Sequence, residues 1–295
     1  MPLSDLALVV LVCAAWGFNF TAGAKGMEGF PPLLFMVLRF LGVLALTLPF
    51  LRPPPPGQWL RLAAVALTMG GLHFTFLFWA LRLSEDVTSI AVLQIMYIPI
   101  SVLLAWGLLG ERTGWRTLAA TAMAFSGVML IAFDPLVLQQ PTALMLILLS
   151  AFSQALASVL MRGLYGIGPL NFQAWTAVFA LPVMLAGTLM FEEGQRLAIA
   201  SAEPLHWAAL AYTVLVASLV GHGLFFVLVQ RHPVPLLMPY LLLMTPLGAL
   251  FGVLVWGDRP GARLIAGGAI ILGSILFITL RGRRRARATL RAAGS

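Results

Sequence analysis

"LLGERTGWR" at residues 108–116 and "VWGDRPGAR" at 255–263 spell one pattern: glycine, an acid, arginine, any residue, glycine, any residue, arginine. Charged residues make up only 9% of this 295-residue chain, so a charged knot written twice is informative. The match extends upstream. Pro99 aligns with Pro246 at the offset of 147 that relates the knots. At an offset of 149, His73 aligns with His222, Phe76 with Phe225 and Arg82 with Arg231. "GFPPLLF" (29–35) likewise resembles "GIGPLNF" (166–172). Apolar sequences share leucine and alanine by chance, but not a histidine, a proline and an acid–arginine knot in one order.

The background of the knots sets the solvent. The chain is 61% hydrophobic with a mean hydropathy of +0.98, whereas soluble domains are about half apolar and a quarter charged. Apolar runs of roughly 20 residues recur throughout, the length a helix needs to cross a bilayer. They are too long and too evenly apolar for the alternating strands of a membrane barrel. Ten spans follow: 4–24, 31–51, 59–81, 87–109, 115–133, 142–162, 169–190, 206–230, 235–256 and 262–281. The first has no basic residue before it and runs to Lys25 at spanning length, so it reads as a retained span rather than a signal peptide. Cys13 is the only cysteine, which excludes an intrachain disulfide and a cysteine-based metal site; no cofactor or metal is expected.

The repeat divides the chain into halves of five spans, 1–135 and 141–281, followed by a basic tail, 282–295. An odd number of spans makes the second half enter the membrane inverted, a design common in secondary transporters. With ten spans both termini share a side. That side carries Arg52, Arg61, Arg112, Arg116, Arg162, Arg231 and the arginines of "RGRRRARATLR" (281–291). The other carries Lys25, Arg82, Arg196, Arg259 and Arg263 among most of the acids. Basic loops stay inside, so both termini are expected in the cytoplasm. The tail reads as an anchor on anionic headgroups, not as a nucleic-acid binder.

These features, with "AAWGFNF" in span one, "MVLRF" in span two and the two knots, resemble the drug/metabolite transporter superfamily, EamA branch. Within the branch the chain looks most like the YddG-type exporters of aromatic and other apolar amino acids. The resemblance implies an all-α integral membrane protein whose ten helices form a basket of two inverted five-helix repeats around a central cavity. Spans one, three, four, six, eight and nine would line it. Spans five and ten would form a scaffold, with Ala120, Ala122, Ala124, Ser126, Gly268, Ala269 and Gly273 allowing close contact. The expected location is a bacterial inner membrane. A small-molecule substrate and the lipid bilayer are the expected partners, and a monomer suffices.

The spans restrict the cargo. Only Asp5 among the acids approaches a span, at its end, which argues against pumps for cationic drugs. Arg39 is the one charge well inside a span, too few for phosphorylated sugars. Lying in span two, it is expected to bond helix-end carbonyls or snorkel. Neutral or zwitterionic cargo with an apolar body remains. Candidate cargo residues are Trp16 and Asn19 in span one, His73 and Phe78 in span three, and Gln94 and Tyr97 in span four. Gln154 in span six, His222 and Phe225 in span eight, and Tyr240 and Met244 in span nine complete the set, with Trp175 as a further inward-facing aromatic. Polar groups in hydrocarbon need partners, so these either bond neighbouring helices or touch cargo. Pro99 and Pro246 at mid-span are expected to kink their helices. With Gly70, Gly71, Gly221 and Gly223 they are the candidate hinges. Lys25 and Arg162, at matching span ends, read as interface anchors or gate partners.

The leading function is secondary export of neutral apolar or aromatic amino acids by alternating access. A broader metabolite or drug exporter is the alternative. A membrane enzyme would need a nucleophile, base and acid converging, and the two histidines have no membrane carboxylate nearby. A receptor or scaffold has no ligand domain to point to. The knots themselves are expected in water on opposite membrane faces, as hinges and anchors.

Overall fold

A computed structural model describes residues 1–83, 93–111, 114–132, 140–256 and 262–293. Arg112 of the first knot, and Gly257, Asp258, Arg259 and Gly261 of the second, lie outside these residues. All regular structure among the described residues is helical. The helices are α1 (Leu3–Gly29), α2 (Pro32–Thr47), α3 (Trp59–Ala66), α4 (His73–Leu83), α5 (Tyr97–Leu109), α6 (Trp115–Ala132) and α7 (Pro141–Met161). There follow α8 (Pro169–Phe191), α9 (Gln195–Ser201), α10 (Pro204–Tyr212), α11 (Gly223–Arg231), α12 (Val234–Leu237), α13 (Met244–Trp256) and α14 (Ala262–Ala293). Six helical segments are long and apolar enough to cross a membrane: Leu3–Gly29, Pro32–Phe50, Trp59–Ala80, Pro141–Met161, Pro169–Phe191 and Pro204–Arg231. Tyr97–Leu109, Val234–Gly248 and Ile265–Ile278 are shorter apolar helices.

Proline opens α2, α7, α8 and α10, where its missing N–H is no loss. Large side chains such as Leu60 (84% exposed), Trp115 (73%) and Met190 (72%) point outward. In water they would form a sticky surface; in a bilayer they meet acyl chains. The stretch 282–293, expected as a tail, continues the last helix.

Two interruptions fall at related places. α3 passes into α4 through a π-helical segment, Leu67–Leu72, and α10 passes into α11 through another, Thr213–His222. His73 follows the first and His222 ends the second. In the same way α5 starts at Tyr97 after a turn-like stretch, and α13 starts at Met244 after a 3-10 segment, Met238–Leu243. Pro99 and Pro246 therefore sit in the first turn of their helices, where backbone amides have no intrahelical acceptor. The expected mid-helix kink is corrected: each helix begins anew just before its proline.

Helices in lipid gain no hydrophobic drive from meeting each other, so their contacts depend on close packing. α1 meets α13 backbone to backbone; a Cβ on Gly17 would lie 2.9 Å from the Gly248 nitrogen. α6 packs along α14, and a Cβ on Gly127 would lie 2.8 Å from the Gly267 carbonyl oxygen. Ala120, Ala124 and Gly268 are buried, but Ala122, Ser126, Ala269 and Gly273 face outward. Of the seven small residues expected at contacts, three are thus buried. α2 packs on α8, α7 on both α4 and α5, and α1 on α10 and the second π segment.

The two ends of the bundle differ. At the end holding the N-terminus, charged residues tie helices together. Asp5 pairs with Arg231 at 3.1 Å and with His232 at 2.7 Å. Gly110, in the left-handed conformation (φ +65°), closes α5 and turns the chain so that Glu111 points back toward the bundle. Glu111 pairs with Arg162 at 3.0 Å and accepts the Val234 amide at 2.8 Å, opening α12 with an anion. Arg162 also donates to the carbonyls of Val229 and Gln230. Glu111 is therefore an interhelical staple, not the water-exposed charge expected of the knot. At the opposite end Lys25 pairs locally with Glu28, and Glu192 caps α2 by accepting the amides of Leu33 and Leu34.

Candidate transport site

The middle of the bundle holds two polar groups of residues, one against α7 and one against α1. The first centres on His73, 6% exposed at the start of α4. Its Nδ1 lies 2.8 Å from Ser150 Oγ on α7, and the Ser150 hydroxyl donates to the His73 carbonyl at 2.9 Å. The Gln94 carboxamide also approaches Nδ1, at 3.3 Å. Tyr97 lies three residues beyond Gln94, and Gln154 one turn beyond Ser150 on α7. Gln94 Oε1, Tyr97 OH and Gln154 Oε1 are buried with no protein hydrogen-bond partner.

The second group is built around the second π segment. A π turn leaves carbonyls that an α-helix would pair differently, and side chains from three places serve them. Trp16 Nε1 donates to Ala217 O at 3.1 Å. Gln173 Nε2 of α8 donates to Ser218 O at 2.7 Å and Leu219 O at 3.1 Å. The Ser218 hydroxyl donates to Thr213 O at 2.7 Å and accepts Arg39 Nε at 2.8 Å. The Trp16 ring lies 4.8 Å from His222 and 5.2 Å from Phe225. His222 Nδ1 is buried without a protein partner. Arg39, His222, Gln173 and Ser218 line a cavity of about 20 Å³, room for one water-sized group.

A larger cavity of about 690 Å³ lies toward the end that holds Lys25 and Glu192. Phe78 and Thr75 of α4, Met27, Leu33 and the turn at Glu192 line it. Phe78 stacks on Phe74 one turn deeper, with centroids 6.3 Å apart and planes at 22°. The Arg39 guanidinium lies 5.0 Å from the Phe74 ring centroid.

Of the residues singled out from sequence, Trp16, His222 and Phe225 meet, and His73 meets Gln94. Asn19 reaches the start of the second π segment, where its Oδ1 accepts the Thr213 hydroxyl at 3.0 Å. Tyr240 and Met244 are buried in the apolar core beside α1, where the Tyr240 carbonyl faces Cys13 Sγ at 3.5 Å. Gly70, Gly71 and Gly221 lie within the π segments and Gly223 just after. Two expectations are corrected. Trp175 faces the bundle end, donating to Arg52 O at 2.9 Å with its ring against Trp59. Arg39 neither snorkels nor bonds a helix end; its neighbours are a hydroxyl and aromatic faces at mid-bundle. Ser150, Gln173 and Ser218 carry no such signal, because a serine or glutamine in an apolar run does not announce which carbonyl it will reach.

Comparison with known proteins agrees with a transport scaffold. The model of the EamA-like transporter family matches twice, over residues 3–133 and 141–280. The chain is 26% identical to a probable amino-acid metabolite efflux pump of Escherichia coli (strain K12), covering 96% of this chain and 97% of that one. It is 27% identical to a probable biotin transporter of Pseudomonas aeruginosa, over 95% and 99% of the two chains. It is 30% identical to a riboflavin transporter of Rhizobium johnstonii, over 78% and 72%. A crystal structure 19% identical in sequence superposes with a TM-score of 0.78, covering 96% of this chain and 99% of that one. With the family model spanning nearly the whole sequence and apolar helices throughout, the chain belongs to the EamA-like transporter family: it is a multi-pass membrane transporter and not an enzyme.

Proposed function

We propose that the protein exports neutral apolar and aromatic amino acids across a bacterial inner membrane by alternating access. The cargo site lies between two inverted five-helix halves, 1–135 and 141–281, with both termini cytoplasmic. The observation that carries this reading is the set of unpartnered buried polar atoms at mid-bundle. Gln94 Oε1, Tyr97 OH, Gln154 Oε1 and His222 Nδ1 come from both halves. Each such atom costs about 1–3 kcal/mol when left unsatisfied. Cargo polar groups would satisfy them, while Trp16, Phe78 and Phe225 would hold an apolar side chain.

Three features support the inverted halves. The π segments overlap at the 149-residue offset, and the helix starts at Tyr97 and Met244 differ by 147. The packing partners also exchange: α7 meets the first π segment and α5 much as α1 meets the second π segment and α13. The arginine-linked end would be the cytoplasmic gate, closed here, and the 690 Å³ cavity the outer vestibule. Gly70, Gly71, Gly221, Gly223, Pro99 and Pro246 would be the places where broken helices swing.

A second reading, a broader metabolite exporter, is favoured by the relatives named for biotin and riboflavin. Uptake into proteoliposomes separates the two. Phenylalanine, tryptophan, methionine and threonine should enter in competition with one another, and biotin and riboflavin should not compete. Failure of all four amino acids, with entry of either vitamin, overturns the amino-acid reading.

Tyr97→Phe tests the site itself. It removes a hydroxyl that has no protein partner, so thermal stability should hold or rise by up to about 1 kcal/mol. Cargo affinity should fall about tenfold if that hydroxyl serves the cargo. A loss of stability with unchanged affinity would move the site away from α5.

A further inference from the structure

Arg39 is 5% exposed in the middle of α2, and no carboxylate pairs with it among the described residues. A guanidinium offers five N–H donors in a planar fork. Here it meets one hydroxyl oxygen, Ser218 Oγ at 2.8 Å, a thioether, Met36 Sδ at 3.9 Å, and the faces of Phe74 and Phe40 at 5.0 and 6.0 Å. That is a poor set of ligands for a full buried charge, since buried cations ordinarily keep an anion. A cation needed only to fasten α2 to the second π segment would be better replaced by a hydroxyl or amide.

Its position adds a direction. The large vestibule is lined by Phe78, Phe78 stacks on Phe74, and Phe74 carries Arg39 on its ring face. An aromatic ladder thus leads from an open cavity to a buried cation. Beside that cation lie His222, with an unpartnered Nδ1, and Gln173.

We propose that Arg39 is the anchor for a carboxylate of the transported molecule, which lies with its apolar body along Phe74 and Phe78. The cargo class is therefore acids, zwitterionic or anionic, rather than amines or amides of the same shape. The counter-charge arrives with the cargo, and the planar fork suits two-point binding of a carboxylate. The adjoining cavity, about 20 Å³, is too small for a carboxylate as it stands. Binding must therefore draw back the wall formed by the second π segment, which carries Ser218 and His222. This inference rests on the mid-bundle cargo site proposed above and specifies its chemistry.

The test uses full-length protein in lipid nanodiscs and two ligand pairs: phenylalanine with phenylalaninamide, and biotin with biotinamide. In the wild type, at least one acid should bind about tenfold or more tighter than its amide, as expected for a charge-assisted bond in a dry site. Arg39→Gln should reduce that ratio to about one, and Arg39→Lys should retain part of it, since the charge stays but the fork is lost. Wild-type protein that binds both amides as tightly as the acids overturns the inference, and this comparison stands even if Arg39→Gln does not fold. So does an Arg39→Gln protein that keeps the full ratio, or the absence of acid-dependent binding for both pairs. If biotin alone shows a ratio that depends on Arg39, the carboxylate anchor holds and the amino-acid reading falls.

Discussion

Arg162→Ala should open the N-terminal end of the transporter. Arg162 bonds the Glu111 carboxylate at 3.0 Å and two carbonyls at the end of α11, and Glu111 in turn holds the Val234 amide. One side chain thereby links the ends of α5, α7 and α11 to the start of α12. Both charged groups are partly buried, with side chains 25% and 18% exposed. The pair should be worth more than a surface ion pair and less than a fully buried one, about 2 kcal/mol. Removing that from the closed state raises the open population about 30-fold. The chain contains its own reporter, since Cys13 is the only cysteine and is fully buried in α1. A water-soluble maleimide should modify Cys13 slowly in the wild type and about 30-fold faster in Arg162→Ala. Glu111→Gln should give a similar rise, and the double variant little more than either single one, because the two act through one contact. Equal labelling in all four proteins would show that the ion pair does not hold this end shut.

Gly17→Leu should have the largest effect on folding. At Gly17, α1 touches α13 through backbone atoms: a Cβ would lie 2.9 Å from Gly248 N and 3.1 Å from Met244 O. Backbone cannot swing aside as the tip of a side chain can, so the helices must separate. Overpacking of this kind costs about 1–3 kcal/mol and more where relief is blocked. In lipid, the loss of close contact removes the main attraction between the helices. We expect about 3 kcal/mol, read as a fall in the thermal midpoint of the purified protein. Gly23→Ala is the control on the same helix. A Cβ there meets nothing within 4 Å, so it should be neutral or raise stability by up to about 1 kcal/mol. A Gly17→Leu protein as stable as the wild type would contradict the described approach of α1 and α13.

What could be read from the chain, and what could not, follows from the solvent. In water, the apolar stripe of a helix tells which face is inside. Here the helices are apolar on every side, so the length of the runs places the helices but periodicity does not orient them. Ala122 and Ala124 look alike in sequence, yet one faces outward and the other lies in the α6–α14 seam. The π segments were hidden for another reason. The register of the second is secured by donors from distant helices, Trp16 and Gln173, together with the hydroxyl of Ser218. Histidines 73 and 222 drew attention through pairing alone, and the backbone irregularity beside each appears only in three dimensions. Arg39 stands out as a charge, but nothing local links it to Ser218, 179 residues away. The same holds for Glu111, whose partner Arg162 is 51 residues distant.

Counterflow tests the account most directly. Proteoliposomes preloaded with unlabelled phenylalanine, without nucleotide, should take up labelled phenylalanine faster than empty ones, with saturation and competition by tryptophan and methionine. That is the behaviour of a carrier whose site faces one side at a time and returns faster when loaded. Uptake that is the same in preloaded, empty and protein-free vesicles, for every neutral amino acid tried, would contradict it.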